Sequence, residues 1–142
     1  MNNEGTILLI EDDPNDADLT MRSFKKAGIR AAVVHVSDGD EALEYLFPLT
    51  GAPPPLPAMV VLDWKLPRMS GLEVLQRLRS DLRTKLLPIV VLTSSFEDRD
   101  VASAYDNGAN SYVRKPIEPG RFEEAARDLG MYWLLRNEVA RL

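Results

Sequence analysis

The chain has 142 residues, 45% apolar and 27% charged, with a formal net charge of −5 and no cysteine. This length predicts one domain over residues 1–142, and the acidic balance argues against direct nucleic-acid binding, which needs a basic footprint. Disulfides and thiolate metal sites are excluded, no apolar run is long enough to span a membrane, and residues 1–6 lack the layout of a signal peptide, so the cytoplasm is the expected compartment.

In chain order, TILLI (6–10) opens with a strand, followed by Glu11, Asp12 and Asp13. Asp13 before Pro14 reads as an N-cap with proline at the first helical position, and the helix it opens stops near Gly28. AVVHVS (32–37) is a second strand and holds the only histidine, His35, which reads as a strand residue. Residues 39–47 carry Ala42, Leu43, Leu46 and Phe47 at helical spacing. APPPLP (52–57) is a stiff connector into AMVVL (58–62), which runs directly into Asp63. Ser70 with Glu73 forms a capping box for a helix through about Arg79. PIVVL (88–92) leads to Thr93, Ser94 and Ser95, residues 97–107 are helical, and SYVR (111–114) leads to Lys115 and Pro116. A last helix is expected from about Pro119 to Leu142. The first, third and fourth strands are apolar nearly throughout, as strands buried on both faces of a parallel sheet are. Five β–α units predict an α/β fold with helices on both faces.

In such a sheet, ligands bind beyond the carboxyl ends of the strands. Those ends carry Glu11 and Asp12, Asp63, Thr93 and Lys115. Singly, these residues have structural readings: Asp63 as a turn residue, Thr93–Ser95 as a helix cap, Lys115 as a solvated charge. Together they suit phosphoryl chemistry. Clustered carboxylates repel unless a cation joins them, and Mg²⁺ takes carboxylate and phosphate oxygens. A carboxylate can itself accept a phosphoryl group as an acyl phosphate, with Lys115 as a point charge and Thr93 as a hydrogen-bond donor.

The pieces LLIEDD, VVLDWKLPRMSG, VVLTSS and GANSYVRKP, in this order and spacing, resemble the receiver domain of two-component response regulators, from about Thr6 to Leu129. The resemblance implies a flavodoxin-like (βα)5 three-layer sandwich with a parallel five-stranded sheet in the order 2-1-3-4-5. It implies Asp63 as phosphoacceptor, and a Mg²⁺ held by Asp12, by Glu11 through water, by Asp63 and by the Lys65 backbone carbonyl. Thr93 would be the switch hydroxyl, Lys115 the phosphate partner and Tyr112 the aromatic switch residue, with a cis bond between Lys115 and Pro116. Lys65 and Ser95 take the positions that flank the phosphoryl group and tune its lifetime. EDDPNDADL, LPRMSG, GANSYVRKP and MYWLLRNE further resemble small single-domain regulators paired with bacterial phytochrome histidine kinases.

The expected function is therefore a phosphoacceptor signalling protein, not a classical enzyme. Its partner would be a sensor histidine kinase of bacteriophytochrome type. A phosphorelay intermediate, a phosphate sink and a phosphorylation-independent scaffold are the alternatives. An aspartate-nucleophile phosphatase would want an acid where Lys65 stands, a flavodoxin would want an uncharged phosphate loop after the first strand, and no P-loop occurs. In the tail, Phe122, Ala126, Leu129 and Trp133 form one helical stripe, and Tyr132, Leu135, Val139 and Leu142 a second. Two apolar stripes suggest a homodimer through the helix 4/strand 5/helix 5 face or through the C-terminal tail.

Overall fold

A computed structural model describes residues 5–115 and 118–140. Five strands, β1 (Thr6–Ile10), β2 (Ala32–Val36), β3 (Met59–Leu62), β4 (Ile89–Thr93) and β5 (Ser111–Arg114), alternate with five helices. The helices are α1 (Pro14–Lys26), α2 (Gly39–Leu46), α3 (Gly71–Ser80), α4 (Asp98–Asp106) and α5 (Pro119–Met131). All strand pairs are parallel, and the sheet order is β2-β1-β3-β4-β5, as the family resemblance implied.

The strand composition follows from burial on two sides. Leu8, Ile10, Val60, Leu62, Ile89 and Val91 pack on one face with α2 and α3. The alternating set, Ile7, Leu9, Met59, Val61, Val90 and Leu92, packs on the other with α1 and α5 through Phe24, Phe122, Ala126 and Leu129. Side chains alternate across a strand, so a strand sandwiched between helices must be apolar at every position.

Local chemistry sets the element ends. The Asp13 carboxylate accepts from the backbone N–H groups of Asn15 and Asp16 at 2.8 and 3.2 Å, capping α1 with Pro14 in the first turn. Ser70 and Glu73 form the reciprocal capping box of α3. Gly28 sits past the end of α1 at φ +81°, a left-handed conformation that glycine adopts without penalty. Arg83 braces the proline-rich connector by donating to the carbonyls of Leu46 and Pro54.

The C-terminus departs from expectation. The helix does not continue to Leu142: α5 gives way at Tyr132 to a π-helical turn, Tyr132–Arg136, and Asn137 is extended at φ −71°, ψ 139°. The Asn137 N–H donates to the Tyr132 carbonyl at 2.8 Å, the wide closure of a π turn. The first stripe is seated as expected, with Phe122, Ala126 and Leu129 buried and Trp133 partly so. Tyr132, Leu135 and Val139 are exposed. Leu142 and the Lys115–Pro116 bond lie outside the described residues.

One glycine fixes the spacing between α3 and the end of β3. A Cβ on Gly71 would stand 2.7 Å from the Asp63 carbonyl oxygen and 2.7 Å from the Trp64 Cα, both backbone atoms. Gly71→Ala is expected to destabilise the fold by about 1–3 kcal/mol, as overpacking against fixed neighbours does. Urea unfolding of the variant checks this, and an unchanged midpoint would contradict it.

Candidate functional site

The strand ends converge because the ladder carries on past each strand. Glu11 N–H donates to the Val36 carbonyl, Asp63 N–H to that of Ile10 and Lys115 N–H to that of Thr93, at 3.0, 3.0 and 2.7 Å. These bonds bring the residues after β1, β3 and β5 to one edge. Among the described residues, carboxylate oxygens of Glu11, Asp12 and Asp63 lie within 4.8 Å of one another.

Lys115 joins them. Its Nζ donates to Glu11 Oε1 at 2.6 Å, to Asp16 Oδ2 at 2.9 Å and to Asp63 Oδ2 at 3.3 Å. Lys115, Glu11 and Asp63 are all buried, whereas Asp12 is exposed and opens the cluster to solvent. The remaining carboxylate oxygens are partly engaged: Glu11 Oε2 accepts the Asp13 N–H at 3.1 Å, and Asp63 Oδ1 accepts the Lys65 N–H at 3.2 Å. One ammonium thus faces four carboxylates. Two carboxylates at this separation repel by roughly 3 kcal/mol at an effective dielectric constant near 20. An all-oxygen donor set short of positive charge fits a hard divalent cation.

The imbalance shows in the titration of the buried pair. Burial, and then the Asp63 carboxylate, push the Glu11 pKa up to about 8, against the pull of Lys115. Burial disfavours the Lys115 ammonium, but its bonds to Glu11, Asp63 and Asp16 outweigh this and hold its pKa above the ordinary 10.5.

Thr93, the last residue of β4, is fully buried, and its Oγ1 accepts the Ser95 N–H at 3.4 Å. Tyr112 on β5 is half-buried, and its hydroxyl donates to the Ser95 carbonyl at 3.3 Å. The Lys65 side chain pairs with Asp100 at 3.2 Å. Glu11, Asp12, Asp63 and Lys115 therefore form one cluster, with Thr93 at the adjacent strand end and Tyr112 reaching the loop after it. Three participants escape a reading of the sequence. Asp16, the third acid on Lys115, sits in the first turn of α1, where an acid is already favourable for the helix. His35 has Nε2 2.8 Å from the Glu11 carbonyl oxygen. Asp100, on α4, gathers Lys65, 35 residues before it, and the nearby Ser95.

A profile of the response regulator receiver domain matches residues 7–127, and the chain belongs to that family. It is 39% identical over 128 residues to the probable methanogenesis regulatory protein FilR2 of Methanothrix harundinacea, covering 90% of this chain and 83% of that protein. It is 30% identical to the response regulator Rcp1 of Synechocystis, over 90% of this chain and 88% of Rcp1. It spans only 45% of the DNA-binding regulator MtrA of Mycolicibacterium smegmatis, at 35% identity. Among solved structures, the Mn²⁺-bound form of Rcp1 superposes with a TM-score of 0.87 at 28% identity, covering 96% of this chain and 99% of that one. The bacteriophytochrome response regulator AtBRR gives 0.70 at 44% identity, covering 94% and 97%. Among the described residues, no helix is long and apolar enough to cross a membrane.

The raised Glu11 pKa has a signed consequence. A carboxyl that holds its proton more tightly when folded adds stability below its ordinary pKa of 4.5, and that stability is lost as pH rises to about 8. With chelator present, the melting temperature of wild type relative to Glu11→Gln is expected to fall between these pH values. Thermal melts at pH 5.5 and 8 check this, and a relative rise would contradict it.

Proposed function

We propose that this chain is a response regulator that accepts a phosphoryl group on Asp63 from the phosphohistidine of a partner sensor kinase and thereby reshapes a protein-interaction face. The observation that carries this reading is the Lys115 ammonium held between Glu11 and Asp63 beside Asp12, at the open edge of a buried sheet. A carboxylate oxygen of Asp63 bonds to phosphorus as the bond from phosphorus to the donor's imidazole nitrogen breaks. The electron pair stays on that nitrogen, which then takes up a proton. The product is an acyl phosphate, and attack by water on phosphorus later returns Asp63 and inorganic phosphate.

Such transfer needs positioning and charge neutralisation more than acid–base chemistry. Lys115 supplies one positive charge to the phosphoryl oxygens, and the Thr93 hydroxyl offers a hydrogen bond to another. The residues that would hold Mg²⁺ are Asp12, Glu11 through water, Asp63 and the Lys65 carbonyl. When bound, the cation supplies the charge neutralisation that four carboxylates and one lysine lack. The Mn²⁺-bound form of Rcp1 supports a divalent site in a close structural neighbour.

Recruitment of Thr93 toward the phosphoryl group, with Tyr112 moving into the space this leaves, is the switch. It acts on the face made by α4, β5 and α5. A near-complete population shift needs roughly 5.5 kcal/mol of differential stabilisation. The partner is a histidine kinase of phytochrome type, supported by likeness to Rcp1, AtBRR and the phosphorylated cyanobacterial phytochrome response regulator RcpA. The exposed Tyr132, Leu135 and Val139, each more than a third accessible, support a homodimer through the tail or this face. The protein acts in the cytoplasm without binding nucleic acid, consistent with its charge of −5.

Intact-mass spectrometry after incubation with acetyl phosphate tests the acceptor. One Mg²⁺-dependent phosphoryl adduct is expected in wild type and none in Asp63→Asn. An adduct that persists in the variant would place the acceptor elsewhere. Light scattering on the same samples is expected to read a dimer, and a monomer at every concentration would remove the dimer.

A further inference from the structure

Asp100 lies in the first turn of α4, and two side chains converge on its carboxylate. Its Oδ2 accepts from Ser95 Oγ at 2.5 Å and pairs with Lys65 Nζ at 3.2 Å. Lys65 stands two residues after Asp63, and Ser95 two residues after Thr93. One carboxylate on α4 thus holds the residues that flank both the acceptor and the switch hydroxyl.

The helix it belongs to is weakly seated. Ala104 is its only buried residue, and Glu97 at its N-cap makes no side-chain cap bond. The other fastening at this end is Arg114, which reaches the Phe96 carbonyl at 3.0 Å and Asp98 at 3.3 Å, with Asp98 fully exposed. Asp100 is the better-buried anchor, its side chain 13% accessible.

Lys65 is placed to serve two partners. Its backbone N–H already donates to Asp63 Oδ1 at 3.2 Å, so its main chain lies against the acceptor. Its side chain is 54% exposed, so solvent screens the lysine end of its pair with Asp100 and weakens the hold. A phosphoryl group carries about −1.5 to −2 charges, whereas the Asp100 carboxylate carries one and shares it with Ser95.

We propose that Asp100 is a positioning residue that holds the Lys65 ammonium away from Asp63, and that a phosphoryl group on Asp63 takes Lys65 from it and so loosens the N-terminal end of α4. This rests on Asp63 being the acceptor. Once transferred, the ammonium covers phosphoryl oxygens and obstructs the water that would hydrolyse the acyl phosphate. Asp100 therefore shortens the phosphorylated state by competing for Lys65, and α4 is released in step with the chemistry.

The test is a double-mutant cycle on the lifetime of the phosphoryl adduct, read by intact mass after the donor is removed. The four proteins are wild type, Asp100→Asn, Lys65→Met and the double variant. Asn keeps an oxygen for Ser95 but removes the charge that holds Lys65. Asp100→Asn is expected to lengthen the lifetime about three- to tenfold when Lys65 is present, and by less than about 1.5-fold in the Lys65→Met background, the non-additivity of a direct pair. A role for Asp100 only in folding would act alike in both backgrounds. An adduct whose lifetime is unchanged, shortened, or lengthened equally in both backgrounds overturns this inference alone. No adduct in wild type removes the acceptor reading and this inference with it.

Discussion

The buried ammonium of Lys115 is the interaction on which the arrangement of this protein turns. It follows β5, yet its three partners come from the end of β1, the first turn of α1 and the end of β3, separated from it by 104, 99 and 52 residues. A buried charge stripped of its partners costs several kcal/mol, so the sheet order that brings these ends together and the cluster that pairs the lysine support one another. The pairing is also incomplete by design of composition: four acids outnumber one base, and burial raises the proton affinity of Glu11. A site left short of positive charge, with one acid open to solvent, is poised for a cation and for a group that brings its own oxygens.

The surrounding fold keeps that cluster at fixed spacing. Strands apolar on both faces bury the sheet between helices, leaving the carboxyl edge as the place where polar side chains meet water. Gly71 lets α3 start against the backbone of Asp63 and Trp64. The His35 ring meets the Glu11 carbonyl from the neighbouring strand, steadying the main chain that carries the acids. By contrast, α4 is attached mainly through its ends and buries only Ala104. Rigid support under Asp63 and a lightly held helix beside it suit the proposed switch, because a small change at the site could then shift one element without disturbing the core.

Much of this was legible in the sequence, for identifiable reasons. Continuous apolar strands, the Asp13 cap and the Ser70–Glu73 capping box are local signals, and the elements they mark appear within a residue or two. The acids after β1, Asp63, Thr93 and Lys115 were readable because a parallel sheet places all its strand ends on one edge. The order 2-1-3-4-5 came from family resemblance, since periodicity carries no information about which strands are neighbours. Asp16 and Asp100 were missed because each already has an ordinary reason to stand in the first turn of a helix, and the lysine each one meets lies far away in sequence. The early end of α5 was missed because its apolar spacing runs on past Tyr132, while the π turn is closed by backbone bonding, including that of Asn137 to Tyr132, which apolar spacing does not reveal.

The charge imbalance at the strand ends is most directly probed by calorimetric titration of Mg²⁺ into the unphosphorylated protein and its Asp12→Asn variant. A cluster that is an incomplete cation site predicts saturable binding in wild type, weakened by about tenfold or more when one carboxylate ligand is neutralised. Equal affinity in the two proteins, or no binding in wild type at about 10 mM Mg²⁺, where a site of millimolar affinity would be largely filled, would contradict it.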